Sequence, residues 1–238
     1  MENNPYPERS DAVIEELANR LHSEYLTHNQ YNPLPLKLPV PVEEIAEQFL
    51  GYEIDFSDTG MFSDPDILGC IYFERNTICV NASVADHDGR YSFTVAHELG
   101  HHVLHRDHYL QRKNADDGKI LCRISGRKPQ IEMEADRFAA ALLIPSESVS
   151  NAAAEQERTV RTIGQARAFA NNLITNSGFS NVSNSAMINR LKGLDLLPSG
   201  IPYQGTKTRK TYGPPSTLTS LKKLISKYRR MILRNLKF

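Results

Sequence analysis

The spacing of apolar residues changes period twice along the chain. From Ser10 to Leu26 they fall at Val13, Ile14, Leu17, Leu21 and Leu26, one stripe of a helix, and Ser10 or Asp11 is available to cap it. A connector carrying Pro33, Pro35, Pro39 and Pro41 follows, then a short helix over Val42–Phe49 that Gly51 stops. Three short segments next predict strands: Tyr52–Phe56, Leu68–Phe73 and Asn76–Asn81, the last two joined by a tight turn at Glu74-Arg75. Cys70 and Cys79 fall inside these strands, where small buried thiols are common.

The helical period then returns. A helix starting between Asp88 and Thr94 and ending near His105 carries Ala96, Leu99, Gly100, Val103 and Leu104. A polar loop with Cys122 and Gly126 separates it from a helix that begins at Pro129, since proline is favoured in a first turn, and ends before Pro145. A polar stretch at Ser146–Glu157 leads to a helix near Val160–Ile174. After the Asn-Ser-Gly turn at 176–178, Ser183 can cap a helix over Asn184–Lys192. Strands gather in the N-terminal half and helices toward the C-terminal half, which makes the fold class α+β, mainly helical with a small sheet.

Charge changes this picture more than composition does. The 238 residues hold 28 Lys+Arg and 28 Asp+Glu, with 40% hydrophobic residues and no Trp, ordinary for a globular chain. Ten of the basic residues and no acidic one lie in 199–238, so the preceding body is about −10 and the tail about +10. No apolar run approaches the roughly 20 residues of a membrane span. The first residues lack the basic and apolar blocks of a secretory signal. Cys70, Cys79 and Cys122, without CxxC spacing, argue against a disulfide framework or a thiolate zinc site. A reducing, cytoplasmic compartment is the expectation.

The chemistry is concentrated in His97-Glu-Leu-Gly-His101, an HExxH. On a helix, positions i and i+4 lie one turn apart on one side, so both imidazoles can meet one tetrahedral Zn²⁺. Glu98 is then placed to reach a water at the metal's open position rather than the metal itself, and to act as general base. Gly100 leaves room for close approach beside the metal, at about 1 kcal/mol of helix propensity. The bland alternative is a helix whose histidines are merely solvated. A third ligand of the right kind weighs against it: Glu132 stands at the start of the next helix. Asp136, four residues on and on the same side, can take a hydrogen bond from one ligand imidazole. Glu134 competes for the ligand role, but it lies about 160° around the helix from Asp136 at 100° per residue and reads better as a solvated helix-face charge. His105 and His108 read as polar surface or capping residues ahead of an outer ring around the site, and His102 as structural or exposed. Cys122 reads as an inert thiol ahead of an inhibitory ligand, and Tyr91 and Tyr109 as packing ahead of donors to an oxyanion.

Phe93-Thr-Val-Ala-His-Glu-Leu-Gly-His101, ending in Val103-Leu-His105, resembles the ImmA/IrrE-type metallopeptidases. So does Ile131-Glu-Met-Glu-Ala-Asp-Arg-Phe-Ala-Ala-Ala-Leu-Leu-Ile-Pro145, against the family pattern E-x-x-A-[ND]-x-F-A-x-x-L-L-x-P, which sets the family's Glu on Glu132. Weaker likeness at Leu38–Glu43, Ile78–Asn81, Val182-Ser183 and Arg190-Leu191 extends it over roughly 10–198. The resemblance implies a zincin-like peptidase domain over 10–145 with a gluzincin-like zinc site. It also implies cleavage of helix-turn-helix repressors, inducing mobile-element or stress-response genes. Asp136 stands where the family often has Asn, and the basic tail has no counterpart.

Residues 146–198 form a helical segment that reads as helix-turn-helix-like. Only Arg190 and Lys192 are basic in its second helix, so packing or substrate docking outranks DNA binding there. In the tail, 199–238, Leu221, Leu224, Ile225, Tyr228, Ile232 and Leu236 form an apolar stripe amid Lys and Arg, with Pro214-Pro-Ser-Thr217 as a helix start. Such a helix suits docking on the acidic body or a partner, or binding nucleic acid or an anionic membrane surface. The expectation is a zinc endopeptidase with one ion per chain on His97, His101 and Glu132, Glu98 as base and Asp136 behind one of the two ligand imidazoles. Two alternatives are a non-cleaving anti-repressor or sensor that keeps its zinc, and a nucleic-acid-binding regulator acting through the tail.

Overall fold

A computed structural model describes residues 8–30, 37–56, 67–84, 87–111, 119–123, 129–156 and 159–198. The proposed roles of the tail, of Cys122 as a ligand, and of Pro33 and Pro35 in the connector lie outside what is described. Seven α-helices and a four-stranded sheet make up the described residues, an α+β arrangement. Helix α1, Asp11–His28, is capped by Ser10, whose side chain accepts from the Val13 amide. It buries Ile14, Ala18, Leu21, His22, Tyr25 and Leu26, whereas Val13 is 43% exposed and off the core face. Helix α2, Val42–Glu44, runs directly into one π-helical turn over Ile45–Phe49, and Gly51 at φ +73° ends it. The expected uniform helix is therefore widened, so that the Tyr52 amide reaches the carbonyl of Ala46 and turns the chain into the sheet.

Strands β1 (Glu53–Asp55), β2 (Ile67–Tyr72), β3 (Thr77–Val80) and β4 (Lys119–Arg123) are ordered β1-β3-β2-β4. β1 runs parallel to β3, and β2 is antiparallel to β3 and β4. The hairpin between β2 and β3 closes with Asn76 at φ 48° and sets Cys70 opposite Cys79. β4 corrects the expectation of a polar loop around Cys122. A five-residue run of mixed polarity has no period of its own, and the open edge of β2 makes it a strand.

Helix α3, Asp88–Gln111, is six residues longer at its C-terminal end than the apolar pattern suggested. It packs along α4, Gln130–Leu143, and across β2 and β3. Gly100 of α3 makes the contact with α4 close: a Cβ there would stand 3.1 Å from the Cα of Ala135 and 3.2 Å from the Cβ of Phe138. The glycine thus makes room for a helix rather than for an ion. Helix α5, Ser146–Ala154, replaces the expected polar connector; it escaped notice because Val149 is its one fully buried residue and only the small Ala152 and Ala153 pack beside it. Helices α6, Ile163–Asn176, and α7, Asn184–Gly193, follow, α6 opened by a Thr162/Gln165 capping box and α7 by Ser183. They pack on each other, and Met187, Ile188 and Leu191 of α7 join the core. No helix among the described residues is long and apolar enough to cross a membrane.

Candidate metal centre

The middle of α3 is buried between the sheet and α4, and it carries His97, Glu98 and His101, none of them exposed to solvent. Helical spacing stacks the two imidazoles so that their Nε2 atoms stand 3.0 Å apart. From the first turn of α4, Glu132 brings one carboxylate oxygen to 3.3 Å from His97 Nε2 and the other to 3.2 Å from His101 Nε2. The three side chains form a group that can hold a metal ion. The spacing itself supports a metal: a tetrahedral ion with bonds of about 2.0–2.1 Å requires ligand atoms roughly 3.3–3.4 Å apart.

The electrostatics agree with that geometry. Burial pushes the His101 imidazole down to about 4, so the ring is neutral, the form in which histidine binds metals. Burial alone would raise Glu132, but the imidazoles of His101 and His97 hold its carboxyl below the ordinary carboxylate range. The Glu132 oxygen that faces His97 makes no hydrogen bond of good geometry, and a buried carboxylate oxygen left so is costly unless a cation meets it. Behind His97, Asp136 places an oxygen 3.0 Å from Nδ1. An ionised carboxylate only accepts, so His97 Nδ1 donates and its Nε2 turns a lone pair toward the group.

Glu98 is also fully buried, and neither of its carboxylate oxygens has a hydrogen-bond partner. Burial pushes its carboxyl up to about 8 against the opposing charge of His97; a nearby cation would lower it again. Its space is provided by Gly69 of β2, where a Cβ would come within 2.8 Å of Glu98 Oε1 and 2.7 Å of Thr94 Cγ2.

Two expectations are corrected here. Glu134 is not a solvated charge: it is fully buried and accepts from the backbone amide of Arg9 at 3.2 Å, the Arg9 guanidinium at 2.9 Å and Gln130 Nε2 at 3.0 Å. These bonds, chiefly Gln130 and Arg9, hold its carboxyl below the usual range although burial opposes them. His105 is not a surface or capping residue either. It is buried, with Nδ1 3.0 Å from His101 Nδ1 and Nε2 3.4 Å from Glu134. Both corrections come from the length of α3, whose later turns still face α4, and from Arg9, which folds back onto the same place. The Arg9 guanidinium also donates to the carbonyl of Leu104. Arg9 carried no signal in the sequence, since its partner lies 125 residues away.

The remaining candidates stand apart from the group. Tyr91 donates to Glu43 and stacks on Phe56, and Tyr109 packs edge-on against Phe73. His102 lies 2.7 Å from the Tyr52 hydroxyl through Nδ1, a structural contact. A family model, Peptidase_M78, described as an IrrE N-terminal-like domain, matches residues 47–173. No curated protein matches the chain.

Proposed function

The chain belongs to the Peptidase_M78 family of IrrE N-terminal-like domains, and from that premise we propose that it is a cytoplasmic zinc endopeptidase that cleaves a helix-turn-helix transcriptional repressor. The observation that carries the reading is the convergence of His97, His101 and Glu132 beside the buried, unpaired carboxylate of Glu98. In this reading the first three residues hold the ion, and Asp136 keeps His97 turned toward it. Zinc held there supplies Lewis acidity, lowering the pKa of a water molecule and polarising the scissile carbonyl. Glu98 takes a proton from the attacking water and delivers it to the leaving amine as the C–N bond breaks, while the water oxygen becomes part of the new carboxylate. Gly69 leaves Glu98 the room this exchange needs.

The substrate class rests on the motif resemblance: family members of this type act on repressors, and release of repression is the expected outcome. The division into a zincin-like peptidase domain over 10–145, a helix-turn-helix-like segment over 146–198 and a basic tail belongs to the same proposal. Arg190 of α7 donates to the carbonyl of Ile144 and pairs with Glu15, which supports packing rather than base reading for that helix.

The test combines metal analysis with cleavage of repressors encoded beside the gene. Wild-type protein should carry about one zinc per chain and cut the cognate repressor at one or a few sites. Glu98→Gln should keep the zinc and lose the cut; Glu132→Ala should lose the zinc. Metal-free Glu98→Gln or metal-replete Glu132→Ala sinks the site assignment. Relief of repression by Glu98→Gln with the repressor intact would establish the non-cleaving alternative instead.

A further inference from the structure

Away from the metal centre, the sheet brings two thiols together. Cys70 of β2 stands directly opposite Cys79 of β3, and both are buried and unbridged. We propose that they form a redox site: a peroxide-class oxidant closes them into a disulfide, a thiol reductant reopens it, and the closed form draws β2 toward β3 where β2 packs against Glu98. The closure is a property of these two residues; its effect on cleavage rests on the peptidase reading above.

Strand register makes the bond possible and keeps it reversible. The Asn81 amide donates to the Leu68 carbonyl at 2.8 Å. Directly hydrogen-bonded pairs recur every second residue along an antiparallel ladder, so Cys70 and Cys79 are such a pair. Its Cα atoms lie about 5.5 Å apart, inside the range a disulfide spans. The opposed Cβ atoms stand up to about 5.5 Å apart at such a pair, whereas a disulfide holds them at about 3.5–4.5 Å. Closing the bond therefore pulls the strands together by roughly 1 Å and stores strain. Strained disulfides are the readily reduced ones, and in a reducing compartment the disulfides that occur are mostly transient and redox-sensing.

The two thiols are unequal. A hydrogen bond with Cys79, with burial adding to it, raises the Cys70 thiol, and the same bond holds Cys79 down although burial opposes it. Cys79 is therefore the nucleophile. Its thiolate attacks one oxygen of hydrogen peroxide, the O–O bond breaks, and a sulfenic acid and hydroxide result. The Cys70 sulfur then attacks the Cys79 sulfur: the S–S bond forms, the S–O bond breaks, and the departing hydroxide takes the Cys70 proton. Two electrons pass from the sulfurs to the peroxide, so two thiols and one peroxide become one disulfide and two waters. Gly69 faces α3, so Cys70 projects from the opposite side of the sheet. On that side the next register pair, Tyr72 and Thr77, is only partly buried, which brings solvent close to the thiols.

Gly69 carries the consequence to Glu98. A Cβ on Gly69 would stand 2.8 Å from Glu98 Oε1 and 3.2 Å from the carbonyl oxygen of Cys79. The residue bonded to Cys70 is thus in reach of both Glu98 and the backbone of Cys79. Movement of β2 toward β3 changes the room left for Glu98, while His97, His101 and Glu132 are carried by α3 and α4. A misplacement of about 1 Å at a catalytic group costs up to about 100-fold in rate.

The experiment treats the folded full chain with hydrogen peroxide, alkylates the remaining thiols after denaturation, and maps the cysteines by mass spectrometry. Wild type should lose two hydrogens and yield peptides cross-linked through Cys70 and Cys79, with Cys122 alkylated. Reduced glutathione alone should reopen the bond, which a relaxed structural disulfide would resist. In ¹H–¹⁵N spectra the Gly69 amide should shift on oxidation and return on reduction. Repressor cleavage by the cross-linked protein should slow by up to about 100-fold at unchanged zinc content, and the rates of Cys70→Ala and Cys79→Ala should not respond to peroxide. The redox site is overturned if Cys70 and Cys79 remain unlinked, if the link resists glutathione, or if peroxide slows the two variants as it slows wild type. A fixed Gly69 amide, or unchanged cleavage by the cross-linked protein, overturns the coupling to Glu98. Should either variant fail to fold, the wild-type map and its reversal by glutathione still decide. Wild type that cuts no repressor in either redox state defeats the peptidase reading, while the cross-link and the Gly69 shift continue to judge the thiol site.

Discussion

Glu132 and Glu134 stand two positions apart on α4, and both are buried for different reasons. Helical geometry correctly separates them, since Glu132 faces His97 and His101 whereas Glu134 faces His105 and Arg9. What spacing cannot supply is the environment on the second side, because a charge is solvated or buried according to elements distant in sequence. His22 makes the same point with a testable consequence. It is fully buried on α1, neither ring nitrogen has a hydrogen-bond partner among the described residues, and burial pushes it down to about 4. A base depressed in the folded state binds fewer protons there than when unfolded. Its contribution to stability is therefore fully present above the unfolded value near 6.5 and is lost as pH falls toward 4. The loss is on the order of 3 kcal/mol at most. His22→Phe should flatten the fall in urea midpoint between pH 7 and pH 4.5 relative to wild type. Equal slopes for the two proteins would show that His22 does not titrate in this way.

The contact between α3 and α4 sets the spacing between the histidines and Glu132. Gly100 allows it: a Cβ at that position would lie 3.1 and 3.2 Å from the backbone of Ala135, atoms that move only if α4 moves. In isolation Gly100→Ala would favour the helix by about 1 kcal/mol. In the protein, overpacking of about 1–3 kcal/mol should outweigh that gain. Thermal unfolding should show a lower midpoint, and zinc competition a weaker site, because Glu132 is carried away with α4. Unchanged affinity would mean that the ligand group tolerates displacement of the helix. The paired motifs on α3 and α4 announced both helices and the faces that carry His97, His101 and Glu132. They did not announce β4 or α5, because an edge strand of mixed polarity and a helix with one fully buried residue carry too little periodicity.

The N-terminal segment and the last described helix meet on the body of the protein. Arg190 of α7 donates to the Ile144 carbonyl at the end of α4 and pairs with Glu15 of α1, while Glu15 also accepts from the Ser146 amide that opens α5. One guanidinium thus joins three parts of the chain. Arg190→Ala should cost about 1–3 kcal/mol, as expected when charge-assisted hydrogen bonds are lost and their partners are left behind. Zinc content should match that of wild type, because the residues proposed to hold the ion lie on α3 and α4. A loss of zinc alongside stability would show that the α7 clamp also holds the metal centre in place.

Local signals were enough for the features that depend only on neighbours along the chain: the caps at Ser10 and Ser183, the turn before β3, the glycine stop at Gly51, and the facing of His97, His101, Glu132 and Asp136 within their own helices. Those follow from backbone sterics and the 3.6-residue period, which act over a few residues. Folding in three dimensions decided the rest. It buried Glu134 and His105, brought Arg9 across 125 positions to pair with Glu134, paired β4 with β2, and turned Gly100 into a helix contact. Desolvation and ion pairing depend on which distant groups exclude water from a site, and no period along a single chain encodes that.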